Sequence, residues 1–427
     1  YPSHAETLHL FGLIAIQQGR YADAMASIGQ AIAVNPRRAS FYSNLGEAHR
    51  GLGQLAEAVD CCQRAIRLEP NLSEAHNNLG LALRTQGDVA GATRQFERAV
   101  ELKHDNVNAH FNLACILLLQ GDFQRGLREY AWRMQMPWHP SRELSIPPWD
   151  GSPLVGKRLL LYAEQGLGDT MQFIRYLPLI HRRAAEVTTI VQGELLPLLP
   201  RSGFQGLLPR GAPTPPCDAQ CPLVSLPELL ATTPQTIPAD VPYLRADPQL
   251  VEHWRAQLDG ISGFKVGIAW QGSKTYMLDR YRSIPPAAFE PLATVGGVRL
   301  ISLQVGEETR QLDALAGRFE VLRFLDRFDA EHGAFMDTAA VMMNLDLVVT
   351  SDTAIAHLAG ALGVPVWVAL CAAPDWRWML NRPDSPWYPT MRLFRQSVLG
   401  QWSDVFAAIA AAIMERRPTE GERDGKR

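Results

Sequence analysis

Three short stretches hold residue types that could do chemistry, and each follows a run of apolar residues. The first, "AEQGLGDTMQF", sets Glu164 at the end of a predicted strand and Asp169 where a helix would begin. Gly166 and Gly168 allow a tight turn and a close backbone approach between them. Asp169 reads either as a helix cap or as a carboxylate that takes a proton from an acceptor hydroxyl, with Glu164 in reserve. The GxG stands without a GxGxxG or Walker sequence, so neither dinucleotide nor ATP use is expected. The second stretch, "DLVVTSDTAIAHLAGALGVPVWVAL", ends a strand in Thr350 and opens a helix through Ser351, Asp352, Thr353 and Ala354. The three polar side chains can cap that helix, and its free N–H groups suit a phosphate. His357, one turn in, reads as a satisfied core residue or as a ligand contact. The third, "WQGSKTYMLDRYRSIP", places Lys274, Arg280 and Arg282 in a loop, either solvated or clamping phosphate.

Such residues need strand ends and helix starts to hold them, and the sequence supplies both from Lys157 onward. "KRLLLYAE" and "EVTTIVQ" read as strands, with "DTMQFIRYLPLIHRRA" and "ELLPLLPRS" as helices after them. A second series starts after Pro248. Its strands are "FKVGIAW", "VRLISLQV", "FEVLRFL", "DLVVTS" and "VPVWVAL", and its helices run from "QLVEHWRAQL" to "SDVFAAIAAAIMERR". Strands alternating with helices imply parallel sheets covered on both faces, and two such series imply two Rossmann-like domains facing a cleft. Ligands in such folds bind at the carboxyl ends of the strands.

The residues before Tyr130 follow a different rule. Gly12, Gly46 and Gly80 are spaced 34 apart, and Ala114 continues the series. Gly19, Gly53, Gly87 and Gly121 keep the same period, as does the bulkier series Ile28, Cys62, Phe96, Tyr130. This is the tetratricopeptide-repeat (TPR) pattern, an α-helical solenoid of paired helices presenting a concave face to polypeptide ligands. The small residues mark where helices A and B cross, and the second glycine series turns one helix into the next. Leu10, Asn44, Asn78 and Asn112 share one position on helix A. A column of asparagine amides could grip an extended peptide backbone, or could bridge neighbouring repeats. Between array and sheets lies the Pro- and Trp-rich "WRMQMPWHPSRELSIPPWDGSPLVG", a stiff connector expected to hold the parts at a fixed angle. The reading divides the chain into a four-repeat array (1–136), the connector (137–156), two Rossmann-like domains (157–246 and 247–416) and a charged, disordered tail (417–427).

Composition narrows the function classes. A net charge of −3 argues against nucleic acid as a partner, because phosphate binding needs a basic face. No apolar run is long enough for a membrane span, and no leader pattern opens the chain at Tyr1, although a native N-terminus could extend beyond it. Six cysteines in 427 residues make no disulfide scaffold, and Cys217 with Cys221 lacks the second pair a zinc site needs. A reducing, cytoplasmic setting is expected.

Taken together, "GLGDTMQF…RYLPL", "RSIP" and "SDTAIAHLAGALGVPVW" resemble the glycosyltransferase family 9 (heptosyltransferase-like) group, which has the GT-B fold. With "DWRW" (Asp375–Trp378) and "DSPWYPTMRLFRQ" (Asp384–Gln396), the chain is more closely similar to bacterial fusions of TPRs to such a domain. The resemblance covers residues 130–415. It implies that Gly168 and Asp169 match the family's Gly-Asp, with Asp169 the catalytic base. It implies that Arg282 meets the donor phosphates, where heptosyltransferases usually carry Lys. Asp352, Thr353 and His357 match the family's Asp-Thr-x-x-x-His, with the donor near Asp352–Ala354; Ala354 stands where the family usually has Gly. The asparagine column resembles that of protein O-GlcNAc transferases. The expectation is an inverting glycosyltransferase that needs no metal or other cofactor beyond its nucleotide-sugar co-substrate. It would act on a Ser or Thr of a protein held by the array; flagellin, with a CMP-activated nonulosonic acid as donor, is one candidate pair. The alternatives are a glycan or lipid-linked acceptor, and a non-catalytic scaffold with a degenerate GT-B domain.

Overall fold

The computed structural model describes residues 2–140, 144–274, 279–324 and 328–416. The expected tail, 417–427, lies outside the described residues. The chain divides into two compact units, one made of residues 1–139 with 375–380, the other of 140–374 with 381–427.

The first unit is a helical solenoid. Its helix pairs are α1 (Pro2–Gln17) with α2 (Tyr21–Val34), α3 (Ala39–Gly51) with α4 (Leu55–Leu68), α5 (Ser73–Gln86) with α6 (Val89–Leu102), and α7 (Val107–Leu119) with α8 (Phe123–Tyr130). Each of the predicted turn glycines takes a left-handed backbone, with φ of 71°, 79°, 90° and 87° at Gly19, Gly53, Gly87 and Gly121. A side chain there would strain the A-to-B turn. The other glycine series sits where helices touch. A Cβ on Gly12, Gly46 or Gly80 would fall 2.4 Å from Ile28, 2.6 Å from Cys62 or 2.5 Å from Phe96. The small series and the bulky series are therefore the two sides of one contact, repeated down the stack.

The "DWRW" segment, read from sequence as part of the second α/β series, belongs to this helical unit. Trp376 meets the rings of Phe123 and Tyr130 edge-on, and the Leu380 N–H donates to the Leu119 carbonyl at 2.9 Å. Burial works against ionising Asp375, yet Arg377, bonded to it at 2.8 Å, and nearby Arg84 hold its carboxyl below the usual range.

The second unit contains two parallel sheets. Strands β1 (Arg158–Tyr162), β2 (Glu186–Val191), β3 (Leu207–Pro209) and β4 (Ala219–Pro222) lie in the order β3-β2-β1-β4. Helices α9 (Leu167–Phe173) and α10 (Leu177–His181) lie between β1 and β2, and α11 (Leu226–Leu229) follows β4. Part of the connector joins this sheet: Trp149 donates to the Gln220 carbonyl at 2.7 Å, and Pro148 bridges Gln220 in parallel. The six-stranded sheet has β5 (Phe264–Ala269), β6 (Val298–Ser302), β7 (Val321–Leu322), β8 (Leu347–Thr350), β9 (Val366–Leu370) and β10 (Met391–Arg395) in the order β10-β9-β8-β5-β6-β7. Counted from its own first strand this is 3-2-1-4-5-6, the doubly wound Rossmann order. Its helices are α12 (Pro248–Leu258), α13 (Asp279–Arg282), α14 (Glu290–Ala293), α15 (Met336–Met342), α16 (Ala354–Ala361) and α17 (Ser403–Arg416). Val266, Ile268, Leu347, Val349 and Trp367 form one buried face with Phe406 and Ile409 of α17. The strand order reverses between β1 and β4 in one sheet and between β5 and β8 in the other. Crevices open at such reversals, on the carboxyl side.

The contact at Gly80 gives a direct test of the repeat geometry. Gly80→Val should destabilise the helical unit by about 1–3 kcal/mol through overpacking against Phe96. It would be read as a lower midpoint for the first transition in urea. The same change at exposed, right-handed Gly29, where an added Cβ meets nothing within 4 Å, should cost less.

Candidate functional site

The loop after β1 delivers the first predicted group. Gly166 takes the N-cap position of α9 with φ −74° and ψ 175°, and Asp169 falls at the third helical position. The Gly166 N–H donates to Asp169 Oδ2 at 2.8 Å, which is half of a capping box. Asp169 thus sits at the helix start, as expected, but caps from inside the helix. Glu164 is buried at the strand end.

Gly168 explains the second glycine of the motif. A Cβ there would lie 2.7 Å from the His357 ring and 3.2 Å from the Ala354 Cα. Only glycine lets the start of α9 press against the start of α16, so the structure brings Gly168, Ala354 and His357 together. His357 is buried, and its Nδ1 is 2.9 Å from the Tyr388 hydroxyl. Burial pushes that hydroxyl well above its ordinary pKa, so it stays protonated near neutrality.

The loop after β5 meets the residues after β8 beside the start of α16. Arg282 Nη1 donates to the Asp352 carbonyl at 2.9 Å, and its Nε to Asp279 Oδ1 at 3.1 Å. A Cβ on Gly272 would fall 2.4 Å from Arg282 Nη2 and 3.2 Å from Thr353 Cγ2, so the guanidinium rests on bare backbone beside the α16 start. Thr353 is the N-cap residue, but its side chain makes no capping bond, contrary to the expected side-chain cap at that position. The Ser351 hydroxyl is buried without a hydrogen-bond partner among the described residues. Lys274 is mostly exposed and pairs with Glu308 at 2.9 Å; that hydrogen bond raises the Lys274 pKa. Residues 275–278 of this loop lie outside the described residues.

Sequence reasoning missed what fixes α9. Arg175, two residues past the helix and fully buried, donates from Nε to the Gln172 carbonyl at 2.7 Å. Its Nη1 donates to the carbonyls of Trp387 and Pro238 at 2.5 and 3.1 Å, and its Nη2 to the Tyr243 hydroxyl at 2.8 Å. Its guanidinium carbon lies 4.6 Å from the ring centres of both Tyr243 and Tyr388. Tyr243 in turn donates to the Met171 carbonyl at 2.8 Å. The available signal was an arginine inside the apolar "QFIRYLPLI", where a charge needs a dedicated set of acceptors.

In the helical unit the asparagine column is real, and its donors are engaged. Asn44 Nδ2 is 2.8 Å from His9 Nε2, Asn78 Nδ2 donates to Ser43 Oγ at 3.0 Å, and Asn112 Nδ2 to Asn77 Oδ1 at 2.9 Å. Each amide reaches back to the same position of the preceding repeat, which is the bridging role. All three residues remain half-buried.

The described residues contain no helix long and apolar enough to cross a membrane. All six cysteines are free, and burial pushes the Cys61 and Cys115 thiols up to about 11, so neither is a ready nucleophile.

A family model described as tetratricopeptide repeat matches residues 9–73 and 75–133. Protein FlbA of Caulobacter vibrioides is 29% identical over 288 residues, which is 62% of this chain and 48% of the relative. The chain therefore spans about half the length of the curated relative it matches. Among solved structures, the first TPR of Spaghetti (RPAP3) bound to an HSP90 peptide is 24% identical, covering 26% of this chain and 90% of that one, with a TM-score of 0.25. MamA is 23% identical over 31% of this chain and 78% of its own, with a TM-score of 0.28. A TPR protein of Thermus thermophilus is 24% identical over 32% and 75%, with a TM-score of 0.29.

Replacing Arg175 tests the geometry around α9. Arg175→Met strands three buried carbonyls and should cost about 3–5 kcal/mol, within the range for breaking a buried polar network. Arg175→Lys should recover little of it, because a point charge cannot serve acceptors on several sides. Thermal unfolding of the second unit reads both; an unchanged midpoint for Arg175→Met would remove the residue from this role.

Proposed function

We propose that the chain transfers a sugar from a nucleotide-sugar to a Ser or Thr hydroxyl of a protein engaged by the repeat array, through a GT-B arrangement of the two sheets. The observation that carries the reading is the pressed contact of the α9 and α16 starts at Gly168. It sets the Asp169 loop beside a helix start flanked by Arg282, at the strand reversal where ligands of doubly wound folds bind.

The chemistry follows from the groups present. Asp169 accepts the proton of the acceptor hydroxyl as its oxygen attacks the anomeric carbon, with Glu164 as the reserve base. The bond from that carbon to the donor phosphate oxygen breaks, and the electron pair leaves with the nucleotide. Arg282 and the N–H groups of Ala354 and its neighbours stabilise that charge, and Lys274 extends the cationic side of the crevice. A single displacement inverts the anomeric centre. The family resemblance names flagellin as one candidate acceptor and a CMP-linked nonulosonic acid as one donor. The engaged donors of Asn44, Asn78 and Asn112 favour a second reading, in which the column stiffens the array and the acceptor is a glycan or lipid-linked sugar.

Asp169→Asn keeps an oxygen for the Gly166 N–H, so it should fold normally while slowing transfer by about 100-fold or more. Transfer within a few-fold of wild type would remove Asp169 as the base. Replacing Asn44, Asn78 and Asn112 together with Ala should abolish acceptor-protein binding while leaving donor hydrolysis intact. Unchanged acceptor binding would support the glycan acceptor.

A further inference from the structure

The loop after β5 is held by the segment that follows β6. Gln304 Oε1 accepts from the N–H groups of Trp270 and Gln271, both at 3.1 Å, and its Nε2 donates to the Gln271 carbonyl at 3.1 Å. A 3-10 helix (Glu307–Leu315) comes next, and in such a helix residues three apart lie on the same side. Glu308 and Gln311 have that spacing, and both reach the loop. Gln311 Nε2 donates to Gln271 Oε1 at 2.5 Å, and Lys274 Nζ meets Glu308 Oε1 at 2.9 Å. These ties bracket Gly272, the residue on which the Arg282 guanidinium rests.

The two ends of the ion pair are unequal. The Lys274 side chain is 62% exposed and that of Glu308 only 21%. The carboxylate is the fixed partner. It folds back over Gly306, where the backbone is left-handed at φ 84° and an added Cβ would lie 3.1 Å from Glu308 Oε2. Bonds from Lys274 and from its own N–H hold its carboxyl below the usual range, so it stays charged at neutrality. Lysine is the movable partner, a compact charge on a flexible four-carbon stem.

We infer, on the nucleotide-sugar reading above, that Glu308 competes with the nucleotide phosphates for Lys274 and thereby sets how readily the spent nucleotide leaves. A phosphate beside Arg282 draws Lys274 away from Glu308, while the carboxylate, tied to its own helix, stays where it is. When the bond to the anomeric carbon breaks, the electron pair leaves with the nucleotide, so the product presents more negative charge than the donor did. A carboxylate placed to take Lys274 back loosens the hold on that product. Release of product sets the turnover of many enzymes, which gives such a competitor a use.

Isothermal titration calorimetry of the full chain with UDP, GDP, ADP, dTDP and CMP tests this, because free nucleotides carry the phosphates without the sugar. The wild type should bind at least one of them. Glu308→Gln keeps the size of the side chain and removes its charge, and should tighten that nucleotide by about 2- to 5-fold, the range an exposed pair supports. Lys274→Met should weaken it, and most of the gain from Glu308→Gln should vanish in the Lys274→Met background, because the two residues act as one pair. An unchanged affinity in Glu308→Gln overturns the inference, as does an equal tightening with Lys274 replaced; either result leaves the nucleotide-sugar reading standing. A wild type that binds none of the five overturns that reading and the inference with it.

Discussion

A buried guanidinium with carbonyl and hydroxyl acceptors around it is the constraint on which the second unit turns. Arg175 has no carboxylate among the partners that hold it; its charge is spread over the carbonyls of Gln172, Pro238 and Trp387 and the hydroxyl of Tyr243. Losing any one of these leaves a donor unmet in a dry interior, so the acceptors must arrive together. They come from three separate parts of the chain: the end of α9, the stretch before α12 and the loop before β10. Tyr388, over which the guanidinium lies, also bonds His357 on α16. The start of α9 is thereby set against the start of α16, and the glycine at position 168 is what makes that closeness sterically possible.

The helical unit depends on a different economy of contacts. Its period is enforced by pairs: a glycine on helix A opposite Ile28, Cys62 or Phe96 on helix B, and a left-handed glycine at each turn. The asparagines add a polar rung between successive A helices. Neutral hydrogen bonds of this kind contribute about 1 kcal/mol each, enough to fix the stagger of one repeat on the next. Such a rung does not preclude a peptide ligand, since the amides remain half-exposed, but it gives the asparagines a reason to exist without one.

Much of this was legible in the sequence because period and punctuation are local. The glycine series announced the helix pairs, and the strands "KRLLLYAE", "EVTTIVQ" and "VPVWVAL" appeared where their apolar runs stood, shortened at one end or both. Strands β3, β4 and β10 were not read. β3 and β4 are only three and four residues long and each ends in Pro, and the apolar run of β10, "MRLFR", is broken by two arginines. "FEVLRFL" was overread; only Val321–Leu322 pair. The packing of "DWRW" on the repeat helices was not read, because nothing local to it tells that Trp376 meets Phe123 and Tyr130. Arg175 escaped notice for the same reason: its partners lie up to 212 residues away. At the candidate site the residue types and the strand-end placement were legible, while the role of Gly168 as the contact between two helix starts was not.

Under the proposed function, Arg282 and the start of α16 hold the phosphates of a nucleotide-sugar. A thermal-shift series on the full chain with UDP-, GDP-, ADP-, dTDP- and CMP-sugars tests this claim. One donor at ~100 times its Kd should raise the stability of the second unit by ~2.7 kcal/mol. A flat response to all five would contradict the claim and leave the two sheets as a scaffold for the repeat array.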